Sequence, residues 1–253
     1  MSAKEFQNAL DETNHILDEW RRGKEKISVL EAGGGAFTML KLPDTHITTI
    51  DISESQLRKN DYADCKIHGD IQEYRFKPGQ FDLVVCFDVL EHLKDPQRTV
   101  DLLTQSLRPG GMLYIAAPYN YSIASLVAKF TPYWFHMFCY RYILGSHPTD
   151  PNKERLHEFV FPTYLRGAMG PFRLSRHLQS LGMKVRMLHL YSREKRDYLY
   201  KFSRVLGAAY DSATWAGRLM TLGKARPDCT DYILLAQCPA VMDPKSRLPA
   251  VAA

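Results

Sequence analysis

Residues 27–37 read Ile-Ser-Val-Leu-Glu-Ala-Gly-Gly-Gly-Ala-Phe: a short apolar run, an acid, then consecutive glycines. The apolar run predicts a buried strand. A strand that breaks into a glycine turn lets backbone N–H groups approach a ligand with no Cβ in the way, and a helix beyond it would add further donors. The stretch therefore reads as a loop for a nucleotide-type ligand carried by Gly33, Gly34 and Gly35, with an ordinary tight turn as the plain alternative.

What the loop lacks narrows the ligand. A dinucleotide fingerprint starting at Gly33 and Gly35 requires a third glycine at position 38, where this chain has Thr38. Glu31 ends the strand two residues before the first glycine, a position that repels a pyrophosphate and attracts a cation. S-adenosylmethionine carries both an ammonium and a sulfonium.

The pattern continues outward from the loop. Residues 47–51, Ile-Thr-Thr-Ile-Asp, predict a second strand whose terminal Asp51 can accept both ribose hydroxyls. Residues 63–71 predict a third short strand finishing at Asp70, a candidate for the adenine amino group, with Ile52 and Ile71 enclosing the ring. Residues 81–87, Phe-Asp-Leu-Val-Val-Cys-Phe, form a continuous apolar run, as expected of a strand buried on both faces. Phe87 and Asp88 close that run as further cofactor candidates, Asp88 near the methionine ammonium. A helical pattern then runs through Leu107, an Arg-Pro-Gly-Gly turn follows at 108–111, and residues 112–117 predict a fifth strand.

With these motifs in this order, the chain resembles the class I S-adenosylmethionine-dependent methyltransferases, in the group with Glu-His-Leu after the fourth strand and Leu-Arg-Pro-Gly-Gly before the fifth. The residues that carry the resemblance are Glu31, Gly33, Gly35, Asp51, Asp70, 81–93 and 107–111, within about residues 25–120. It implies an α/β fold with a doubly wound, seven-stranded, mostly parallel sheet, S-adenosyl-L-methionine as cofactor, and methyl transfer as activity. Phe37 stands where the family often has a further glycine, so the turn is expected to be tighter or the methionine end to pack against an aromatic ring.

The 253 residues suffice for a single domain with insertions on this core. Five scattered cysteines without a C-x-x-C pair suggest neither a disulfide framework nor a zinc site, and point to a reducing compartment. The N-terminus runs directly into a helical pattern through Phe6, Leu10, Ile16, Leu17 and Trp20, with no leader, so a cytoplasmic location is expected. Beyond the cofactor half, residues 121–170 form an aromatic-rich insertion before a core helix that begins near Pro171 and stops at Gly182. Residues 191–228 form a second, helical and basic insertion between the sixth strand (183–190) and the seventh (232–237), and residues 239–253 read as a disordered tail. The aromatic insertion reads as a cap packed on the core, as a lid lining an apolar acceptor pocket, or as an interfacial helix on a membrane. Between Lys184 and Arg226 ten Lys or Arg face three acids, a local charge of +7 against +5 for the whole chain. This fits a solvated face, an anionic acceptor or an anionic lipid surface. Nucleic acid is not expected, because no recognised nucleic-acid module accompanies the charge.

Methyl transfer from a sulfonium needs no nucleophilic side chain, so alignment and exclusion of water carry most of the catalysis. A hydroxyl acceptor would profit from a general base. His92 is the first candidate, with Tyr119, His136, His147 and His157 as rivals. Were residues 88–92 helical, Asp88, Glu91 and His92 would share one face and offer a metal site, although no metal is expected. The expected function is methylation of a small-molecule or lipid-like acceptor. A cofactor-binding protein that catalyses a cyclisation without methylating, and a membrane-associated binding protein with a vestigial fold, stand as alternatives.

Overall fold

The apolar run that opens the glycine loop is strand β1 (Ile27–Ala32), followed by β2 (Thr45–Asp51), β3 (Cys65–His68), β4 (Phe81–Phe87), β5 (Leu107–Pro118), β6 (Lys184–Tyr191) and β7 (Asp231–Gln237). The computed structural model describes residues 2–38, 40, 42–132, 164, 166–192 and 195–240. The strands form one seven-stranded sheet in the order β3-β2-β1-β4-β5-β7-β6. β1 through β5 pair in parallel, and β7 runs antiparallel to both β5 and β6. This is the mostly parallel, doubly wound sheet that the sequence leads one to expect. Chain direction across the sheet reverses between β1 and β4, the point where such sheets bind ligands.

Side-chain alternation on the central strands explains why their sequences lack a polar face. On β4, Val84 and Cys86 join a core shared with β1, β5 and β7 on one face, while Leu83 and Val85 join a second core on the other. The first core is covered by helix α3 (Pro96–Ser106) through Val100 and Leu103, and by α5 (Pro171–Ser180) through Leu174 and Leu178. The second is covered by α1 (Ser2–Arg21), whose Ala9 and Leu17 are fully buried while Phe6, Leu10, Ile16 and Trp20 pack at its margin. Each such buried aliphatic side chain contributes about 1.5–3 kcal/mol, which anchors both helix layers to the sheet. Local signals fix the ends: Asp95 caps α3 by accepting from the Arg98 N–H at 3.1 Å, with Pro96 in the first turn. Gly182, at φ +82°, stops α5 as its N–H donates to the Gln179 carbonyl.

The remaining α-helices among the described residues are α2 (Glu54–Arg58), α4 (Ile123–Phe130), α6 (Lys195–Phe202) and α7 (Arg204–Met220), the last two lying between β6 and β7. Three local expectations need correction. β3 spans only Cys65–His68 and is mostly exposed at the sheet edge, so Asp70 lies beyond it in a turn. The Leu-Arg-Pro-Gly-Gly segment belongs to β5, and the register with β4 jumps from Phe81↔Leu107 to Leu83↔Met112. The extra residues bulge out, with Gly110 at φ +75° absorbing the bend. Residues 88–92 are not an α-helix: Asp88 has φ +50° and only Leu90–His92 form a 3₁₀ turn. The aromatic run at 133–142 and most of the tail, 241–253, lie outside the described residues.

Candidate active site

The loops after β1 and β4 touch at the reversal point of the sheet. Gly33 has φ +75°, and a Cβ there would sit 2.3 Å from Val89 Cγ2, on the loop that follows β4. A Cβ on Gly34 would sit 2.3 Å from Thr49 Oγ1 and 3.0 Å from Glu31 Cβ. Side chains at either position would push the loop off the strand ends, so the absence of Cβ is what lets the backbone lie here.

Glu31 lies beneath this loop, almost completely buried, where its carboxylate accepts a 2.9 Å hydrogen bond from the Thr38 hydroxyl. Thr38, which occupies the place of a dinucleotide-type glycine, thus ties the far end of the turn back to the strand. Asp51, at the end of β2, accepts from the Gly35 N–H at 3.0 Å through one carboxylate oxygen and from the Ser53 N–H at 2.8 Å through the other. Each oxygen retains a second acceptor site, so two hydroxyls can still be bound. Fully buried Asn60 clamps the same loop: its amide nitrogen donates to the Gly35 carbonyl at 3.0 Å, while its amide oxygen accepts from the Tyr62 and Ala63 N–H groups. Gln56, beside Gly35, carries a buried amide nitrogen with no hydrogen-bond partner among the described residues.

The two isoleucines proposed to enclose a ring are not equivalent. Ile52 is 57% exposed next to Asp51, whereas Ile71 is 8% exposed and belongs to the main core. Asp70 accepts from the Gln72 N–H at 2.8 Å, which fixes its carboxylate at the head of the following turn. Phe37 is exposed. At the end of β4, Phe87 is half-buried and the Asp88 N–H donates to the Ala116 carbonyl at 2.9 Å. Asp88 holds a left-handed conformation that disfavours most side chains, as found where backbone is constrained at ligand sites.

That conformation dismantles the helical face on which Asp88, Glu91 and His92 were to converge. Among the described residues no group of three or more His, Cys, Asp or Glu is arranged to hold a metal ion. His92 is half-buried with Nε2 4.0 Å from the Glu91 carboxylate, and the Glu91 carbonyl accepts from the Tyr164 N–H at 2.7 Å. Tyr119 is buried at the end of β5, edge-on to Tyr121 at 5.7 Å, and burial raises its phenol above the ordinary tyrosine range. A phenol so held stays protonated and is ill suited to remove a proton. His136, His147 and His157 lie outside the described residues.

A family profile described as a methyltransferase domain matches residues 30–115. Residues 30–115 form a methyltransferase domain of the class I S-adenosylmethionine-dependent type. Among its relatives is a protein of Aromatoleum aromaticum named ubiquinone biosynthesis O-methyltransferase, 27% identical over 69% of this chain and 73% of that one. A similar fold is seen in a SAM-dependent methyltransferase of Archaeoglobus fulgidus, at TM-score 0.50 and 15% identity over 91% of this chain and 93% of that one. Phosphoethanolamine N-methyltransferase 2 of Haemonchus contortus, solved in complex with S-adenosyl-L-methionine, gives TM-score 0.51 and 16% identity over 90% of this chain and 52% of that one. No helix of the methyltransferase is long and apolar enough to cross a membrane, among the described residues. In this methyltransferase the structure brings Glu31, Gly33, Gly34, Gly35 and Asp51 into one cradle, with Ile52 at its edge and the Asp88 segment facing it across Val89. The sequence reading missed the roles of Thr38 and Asn60, which tie the cradle loop down, and of Thr49, which packs against Gly34. Their only local signal is polarity, which also suits turns and strand ends.

Proposed function

We propose that the chain transfers a methyl group from S-adenosylmethionine to a hydroxyl of a small or lipid-like acceptor. The observation that carries the reading is the Asp51 carboxylate, fixed by the Gly35 and Ser53 N–H groups and still able to accept two hydroxyl donors at the reversal point of the sheet. The residues fit the cofactor on structural grounds: the Gly33–Gly34 cradle is one that a Cβ would fill, Gln56 offers an orphaned buried donor, and Ile52 presents an exposed apolar face for a flat ring. In this reading Asp51 binds the ribose, and Glu31 supplies negative charge under the loop for the cationic methionine end. Asp70 and Asp88 flank the adenine and ammonium ends. Bound S-adenosylmethionine supplies a methyl group already activated on a sulfonium. The chain's own residues then align the acceptor, keep water out and accept the hydroxyl proton. His92, with Nε2 4.0 Å from the Glu91 carboxylate, is the first choice for that proton; protonated Tyr119 is better suited to packing or hydrogen-bond donation.

Residues 121–170 are proposed to cap the acceptor side, since they follow β5 at its carboxyl end. The O-methyltransferase relatives, named for ubiquinone biosynthesis, support a hydroxyl acceptor with an apolar body. The test is to incubate the purified chain with methyl-labelled donor and a fractionated metabolite and lipid extract. Stoichiometric S-adenosylhomocysteine and label in one acceptor fraction are the expected result. Conversion of a substrate with no S-adenosylhomocysteine released would overturn methyl transfer in favour of a cyclase-type activity.

A further inference from the structure

Helix α7 is amphipathic in an unusual direction. Its inward side carries small residues: Gly207 lies against the Tyr200 ring of α6, where a Cβ would come within 2.5 Å, and Thr214 is buried. Its solvent side carries the apolar ones. Val205, Ala209, Ala216, Leu219 and Met220 recur at helical spacing with Trp215 beside them, all of them exposed, Trp215 at 68% and Met220 at 85%. The row extends past the helix end to Leu222, which is 85% exposed and held at φ +50°, a conformation that disfavours a branched side chain. A groove of about 320 Å³ between Trp215, Arg218, Leu219, Leu222 and Gly223 interrupts this surface.

We propose that this face of α7 docks on an anionic lipid bilayer. Charge decides the occupant. The apolar row is bordered by Arg204 at one end and Lys224 at the other; from Arg204 to Asp228 four Lys or Arg face two acids, with Arg218 and Arg226 paired to Asp228 at 2.6 and 3.5 Å. A second copy of the chain meeting this face about a two-fold axis would bring like charges together around the contact. An anionic bilayer answers both features at once: headgroups meet the flanking cations while Trp215, Leu219, Met220 and Leu222 enter the acyl boundary, the arrangement of an in-plane interfacial helix. At 17 residues α7 is about 25 Å long and lies on such a surface without needing to span it. The proposal stands apart from the methyl-transfer reading, because no residue of the cofactor cradle belongs to this face.

The test is flotation of the full chain with vesicles of pure phosphatidylcholine and with vesicles containing about 30% phosphatidylglycerol, at low and high salt. The wild type is expected to float with the anionic vesicles alone, and to be released as salt rises. Leu219→Glu/Leu222→Glu, and separately Leu222→Ser at the exposed tip, are expected to cut the bound fraction by about tenfold and about threefold respectively, since buried apolar area scales the binding. S-adenosylhomocysteine titration of each variant should match the wild type, which certifies the fold and keeps this test separate from the cofactor reading. Failure of the wild type to float, equal flotation with both lipids, or undiminished flotation of both variants would overturn the proposal. So would a wild-type dimer in light scattering that the variants dissociate without any vesicle binding, which would make a second copy the occupant.

Discussion

Gly34→Ala tests whether the cradle is built on close approach. The added methyl would stand 2.3 Å from Thr49 Oγ1, 3.0 Å from Glu31 Cβ and 3.1 Å from Glu31 Oε2. Thr49 and Glu31 are both buried on strands β2 and β1, so neither contact is relieved by swinging a flexible tip into solvent. Overpacking of this kind costs about 1–3 kcal/mol. Taking about 2 kcal/mol, a chain of this size should lose roughly 4–8 °C in Tm. Displacement of Glu31 or Thr49 also moves the loop, and S-adenosylhomocysteine affinity should fall by about tenfold, or about 1.4 kcal/mol. Removing the nearest clash supplies the control. Thr49 Oγ1 makes only a 3.5 Å contact with the Glu31 carbonyl, so Thr49→Ala sacrifices little hydrogen bonding. The double variant should be less destabilised than the sum of the singles by about 1 kcal/mol or more, the coupling expected of touching residues. Differential scanning fluorimetry and calorimetric titration read both quantities. A Gly34→Ala protein with wild-type Tm and wild-type affinity, or a fully additive cycle, would refute the steric account.

Asn60→Ala leaves the Gly35 carbonyl and the Tyr62 and Ala63 N–H groups without their shared partner, and should lower stability by about 2 kcal/mol or more in urea unfolding while weakening cofactor affinity; an unchanged midpoint would refute the clamp. Chelation by EDTA should leave turnover intact, because Asp88, Glu91 and His92 share no helical face; activity lost to EDTA and restored by Mg²⁺ would instead make His92 a ligand. Alkaline pH should destabilise the fold in a defined window. Burial raises the Cys229 and Cys238 thiols from 9.0 to about 11, so the unfolded chain releases these protons first. The thiols' contribution to stability is therefore level below about pH 9 and is lost as pH climbs towards 11, with buried Tyr232 adding to the loss above about 10. Denaturation midpoints that stay flat to pH 11 would contradict this sign.

The parts of the fold legible in the sequence are those whose physics is local or periodic. β1 and β4 announce themselves as apolar runs with an acid at or just past the end, because strands covered on both faces have little polar side to show. Gly182 ends α5 for a reason written in one residue. Where geometry depends on partners far along the chain, sequence reading falls short. Leu107 to Gly111 has turn chemistry, yet pairing with β4 draws it into β5 as a bulge. Asp88 sits in a helix-like pattern, but the crossing of the β1 and β4 loops at Gly33 and Val89 coincides with a left-handed backbone there. The acids of the cradle could be nominated from strand ends alone. Thr38, Thr49 and Asn60 could not, since their role depends on contacts 7, 18 and 25 residues away in the chain.

Calorimetric titration of the wild type and of Asp51→Ala with S-adenosylhomocysteine, with NAD as comparator, tests the central claim most directly. S-adenosylhomocysteine is expected to bind one-to-one, NAD to give no heat, and removal of the Asp51 carboxylate to cost about 1.5–3 kcal/mol, roughly 10- to 150-fold in Kd. Tight NAD binding, or an affinity for S-adenosylhomocysteine that Asp51→Ala leaves untouched, would contradict it.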